Sequence, residues 1–141
     1  MFNPSRDQAR QFLIDAWTKH RQRLPGTAME ALAADLVALH PEYHALLEAE
    51  DALTREWTPE QGETNPFLHL SLHLAIEEQL SIDQPPGIRA AFSLLQGRRG
   101  DRHDALHDVL ECLGEMLWRA QRSKQPPDGE AYVDCVRRKA G

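Results

Sequence analysis

The chain lacks any uninterrupted apolar run of the ~18 residues that a membrane-spanning helix needs, so no membrane role is expected. Its opening, MFNPSRDQAR, has no apolar stretch of the kind a signal peptide requires. Positive charge is not in excess. With 16 Lys and Arg against 22 Asp and Glu, the formal net charge is −6. That argues against nucleic acid as a partner, since a nucleic-acid binder normally carries a basic footprint. Cysteine is scarce: only Cys112 and Cys135, with no Cys-x-x-Cys or zinc-finger spacing. These absences lead to an expected cytoplasmic protein in which both cysteines are free, buried thiols. A glycine-rich phosphate loop, a nucleophile elbow and a His-Glu-x-x-His run are also missing. Nucleotide-binding, serine-hydrolase and zinc-protease chemistries are therefore not indicated.

What is present has helical period throughout. A chain of 141 residues with 41% hydrophobic and 27% charged residues is enough for one domain with a real core. We expect an all-α, single-domain helical bundle over 1–141, with N-terminal helices over 1–57. Asn3-Pro4 opens a helix whose face is marked by Phe12, Leu13, Ala16, Trp17 and His20. Pro25-Gly26 ends it. Thr27 and Glu30 have capping-box spacing, and Leu32, Ala33, Leu36 and Leu39 carry the second helix to His40-Pro41. Short helical segments follow, then a polar loop from Thr58 to Thr64. Asn65-Pro66 opens a helix that is apolar on most sides, which predicts a central position. Trp17, Trp57 and Trp118 read as packing residues.

Two nine-residue stretches share one pattern. His69 to Glu77 reads HLSLHLAIE, and His103 to Glu111 reads HDALHDVLE. Both fit His-x-x-Leu-His-x-x-(Ile/Leu)-Glu. Residues four apart stack on one helix face. Each stretch therefore sets two imidazoles in a column and a carboxylate a turn further on. Each patterned helix is followed by Gln-Pro-Pro, a nearby glycine and a short amphipathic helix. This suggests a duplicated unit, long helix, Pro-Pro turn and short helix, over 65–97 and 101–139.

Faced together, the two patterns would supply His69, His73, His103 and His107, with Glu77 and Glu111 as ligands, orienting groups or a general base. That is ligand chemistry for a transition metal such as Zn, Fe or Mn. His69 and Glu77 are separated by about 12 Å along a helix axis at ~1.5 Å per residue. One ion therefore cannot take both His and the Glu from one helix. If the patterned helices run parallel, His69 lies level with His103, His73 with His107 and Glu77 with Glu111. His40 and His44, in HPEYH, also have i,i+4 spacing, but the intervening proline starts a new helix, so His40 need not share a face with His44, and whether the pair joins the site is left open. Cys112 falls half a turn from the His103–His107 face and is not counted as a ligand.

The run NPFLHLSLHLAIEEQLSIDQPPGIRAAF, followed by HDALHDVLECLGEMLWRAQRSKQPPDGEAY, resembles an uncharacterised proteobacterial family, domain of unknown function family 1841. MFNPSRDQAR and HPEYHALLE resemble the same family, so the likeness covers nearly the whole chain. It implies no activity, and the site rests on the residues alone. The expected function is a small metal-binding protein. Whether it is an enzyme, what small-molecule substrate it would take, and whether it forms a homo-oligomer are left open. The competing reading is a structural or interaction protein with a metal-free, buried His/Glu hydrogen-bond network.

Overall fold

A computed structural model of the protein describes residues 6–57 and 65–141. Among these, all regular structure is helical, as the 3.6-residue periodicity predicts. The order is α1 (Arg6–Arg21), α2 (Ala28–Ala38), a 3-10 turn (Pro41–Tyr43), α3 (His44–Glu48), α4 (Pro66–Ile82), α5 (Ile88–Arg99), α6 (Arg102–Ser123) and α7 (Gly129–Ala140). The Asn3-Pro4 helix entry and the loop read over 58–64 lie outside the described residues. Contacts cluster into two compact units, Met1–Leu74 and Ala75–Gly141, divided within α4. No described helix is long and apolar enough to cross a membrane.

In the first unit α1 packs on α2. Leu13, Ala16 and Trp17 of α1 and Ala33, Leu36 and Val37 of α2 join one core with Leu47, Phe67 and Leu70. Their spacing places them on single helix faces, so burial follows from the pattern. The Thr27 hydroxyl accepts from Glu30 N–H at 3.1 Å, and the Glu30 carboxylate accepts from Thr27 N–H at 2.9 Å. The capping box read from the sequence is therefore formed. Lys19 pairs with the same carboxylate at 2.7 Å and holds it below the usual range.

Arg10 is a buried charged residue beside this apolar core, at 3% exposure. Its Nη1 donates to the carbonyls of Ala52, Leu53 and Arg55 at 3.3, 3.1 and 2.8 Å. The guanidinium lies over the rings of Trp57 and Phe67. It thus satisfies the non-helical backbone after α3 and ties that segment to α1. Asn65 accepts from the Phe67 and Leu68 N–H groups, which starts α4 where the Asn-Pro signal predicts.

The second unit packs α5 against both α6 and α7. Ile88, Ala91, Phe92 and Leu95 line the buried face of α5, Leu106, Val109 and Leu113 that of α6, and Tyr132, Val133 and Val136 that of α7. Asp101 and Asp128 cap α6 and α7 by accepting from the N–H groups of Asp104 and Ala131. Gly87, at φ +93°, turns the chain into α5. That positive φ disfavours any residue with a side chain; the nearest atom a Cβ would meet, Arg137 Nη2 at 2.9 Å, is the movable end of a long side chain. The expected order of long helix, Gln-Pro-Pro and short helix occurs in α4–α5 and again in α6–α7.

Two expectations are corrected. Cys112 and Cys135 are not free thiols but form a disulfide, with Cα atoms 5.8 Å apart. The cysteines lie 23 residues apart, and the return of α7 along α6 sets their side chains face to face. Linear spacing carries no sign of that. Trp118 is not a packing residue. It is 56% exposed, and Arg122 covers its ring at 5.1 Å.

Candidate metal centre

The i,i+4 spacing does locally what a helix dictates. In the first unit the His69 and His73 rings are 4.8 Å apart. In the second unit the His103 and His107 rings are 4.3 Å apart. The two glutamates of the pattern are engaged elsewhere in the second unit. Glu77 accepts two bonds from Arg102, at 2.8 and 3.0 Å, and this pairing raises the guanidinium pKa. Glu111 is 70% exposed and paired with Lys139 at 2.7 Å.

The residue that sequence reasoning left open, and did not count among the expected ligands, is His40. It follows α2, is 1% exposed, and its Nδ1 lies 2.7 Å from the Leu36 carbonyl. A carbonyl only accepts, so Nδ1 carries the hydrogen and Nε2 of the neutral ring presents a lone pair. Leu36 O belongs to the last turn of α2, where carbonyls have no partner within the helix. A histidine just past a helix end is placed to serve one, and that was the available signal. Pro41 obscures it, because a break at that proline leaves the face of His40 undetermined by spacing alone.

His40 Nε2 lies 3.2 Å from His69 Nε2, which lies 3.2 Å from His73 Nε2. His73 is fully buried. The ligand atoms of these three histidines fall within 4.8 Å of one another. Zinc–nitrogen bonds of ~2.05 Å at the tetrahedral angle hold two donor nitrogens about 3.3 Å apart. The two contacts at His69 have this separation. With His40 Nε2 as acceptor, the single hydrogen of His69 Nε2 has two claimants. A cation would use all three lone pairs.

The surroundings hold the rings in place. Tyr43 stacks on His40 at 5.5 Å with planes 4° apart, and meets the His69 ring edge-on at 5.7 Å. Burial, reinforced by the neighbouring Glu42, raises the Tyr43 phenol pKa, so the residue stays neutral. His44 is turned away. Its Nε2 donates to the Val37 carbonyl at 2.8 Å, and its ring lies on Trp17 at 4.3 Å.

The family model described as Domain of unknown function (DUF1841) matches residues 5–138. The chain belongs to that family. No curated protein and no solved structure matches it. The family description names no chemistry, so the histidines carry the functional argument for this member.

Proposed function

We propose that this protein binds a transition-metal ion through the Nε2 atoms of His40, His69 and His73. The observation that supports this reading is the pair of 3.2 Å contacts at His69 Nε2, with His40 held by Leu36 O in the tautomer that leaves its Nε2 lone pair available. A ligating histidine usually donates its other ring N–H to a carbonyl or carboxylate, and Leu36 O fills that role for His40. Three imidazoles suit zinc best among Zn, Fe and Mn. Nitrogen donors follow the order that places zinc above iron and manganese, and manganese prefers carboxylates.

A three-histidine ion has a further coordination position. Water there would acquire a pKa near ~7 and become a nucleophile. A further protein ligand there would make the ion structural. The test is elemental analysis of protein purified without an affinity tag or chelator, followed by reconstitution of the metal-free chain with Zn2+, Fe2+ and Mn2+. One tightly bound zinc per chain, absent from His69→Ala, is expected. A folded wild-type chain that binds none of the three ions stoichiometrically would leave a metal-free histidine cluster and end the proposal.

A further inference from the structure

The Cys112–Cys135 bridge lies on the wall of a groove of about 410 Å³ within the second unit. This is within the ~300–1,000 Å³ of small-molecule sites. α6 contributes Met116 and Arg119 to its lining, and α7 contributes Tyr132 and Arg138. Three carboxylates also face it, and each is already engaged. Glu115 pairs with Arg119 at 2.6 Å, Asp134 with Arg137 at 3.3 Å, and Asp128 accepts from Ala131 N–H at 3.1 Å. Of the lining charges, Arg138 is the cation with no carboxylate in these pairs, while Asp128, held only by an N–H, keeps its negative charge at the N-cap of α7. Arg138 stands three residues beyond Cys135, and positions three apart are neighbours on a helix surface. The two cysteines also differ in access: Cys135 is 9% exposed and Cys112 is 1% exposed.

We propose that this groove binds a small thiol bearing a carboxylate, and that the thiol exchanges with the bridge at Cys135. The carboxylate pairs with Arg138. The thiol loses its proton to water, and its thiolate attacks Cys135 Sγ. A new bond forms between the incoming sulfur and Cys135 Sγ as the Cys112–Cys135 bond breaks. Cys112 leaves as a thiolate and takes a proton from water. One disulfide replaces another, so no external oxidant or reductant is consumed.

The test uses the native chain with mercaptopropionate and cysteamine, which carry opposite charges, compared at equal thiolate concentration. Their rates are referred to those on an unstructured model disulfide, and the adducts are located by mass spectrometry. The adduct is expected on Cys135. The anionic thiol should be favoured over the model ratio by roughly threefold, the scale of one exposed ion pair. Arg138→Gln should return the ratio to the model value. If that variant fails to fold, raising the salt concentration on the wild type reads the same term, because screening removes the preference. No adduct on the folded chain, an adduct on Cys112, or a ratio equal to the model disulfide at low salt would each overturn the proposal.

Discussion

His40 donates its Nδ1–H to the Leu36 carbonyl at 2.7 Å, and this one bond orients the ring toward His69. The end of α2 is thereby part of the candidate metal centre. The carbonyl satisfied there is one that a helix terminus leaves without an internal partner. Capping the helix end and orienting the His40 ring are the same interaction.

His40→Ala, His69→Ala and His73→Ala should each reduce zinc affinity by more than the roughly 10–100-fold that loss of an outer-shell partner costs. His44→Ala and His20→Ala should leave it within a few-fold, because neither belongs to the cluster of ligand atoms. Competition with a chromophoric chelator measures all five. Equal losses from the His20 and His40 variants would remove the assignment.

Arg10→Met keeps most of the side-chain volume but withdraws the donor shared by the Ala52, Leu53 and Arg55 carbonyls. Leaving a buried acceptor unmet costs about 1–3 kcal/mol, and the Ala52 contact is the fully buried one of the three, so a loss of about that size is expected. Urea unfolding followed by circular dichroism checks it. A variant as stable as the wild type would show that these carbonyls find other partners.

The cap of α2 gives a pH signature. Thr27→Ala should cost about 1 kcal/mol, the usual value of a lost N-cap. The Glu30 carboxylate is held below its ordinary value of 4.5, first by the hydrogen bond from Lys19 and then by Thr27 N–H. A depressed folded pKa contributes stability above the unfolded value, and that contribution is lost as pH falls through the folded one. The advantage of the wild type over Glu30→Gln should therefore be full near neutrality and vanish in acid below 4.5. Denaturant midpoints of the two chains across that range provide the comparison. An advantage that persisted in acid would mean that the carboxylate charge is not its source.

Local rules made much of this molecule legible in the sequence. Helix faces follow the recurrence of apolar residues, as Ile88, Ala91, Phe92 and Leu95 show. Thr27, Asn65, Asp101 and Asp128 all cap helices, because a short polar side chain before a helical run has orphan N–H groups within reach. His69 beside His73 and His103 beside His107 required only the geometry of a single helix. What tertiary structure alone decided lies between elements. Arg10 is buried because three carbonyls over 40 residues away converge on it. Cys112 meets Cys135 because α7 returns along α6. His40 meets His69 across 29 residues because the turn after α2 brings its ring to α4. Each of these depends on where the chain comes back to itself. Periodicity records which face of a helix is buried, but not which partner buries it.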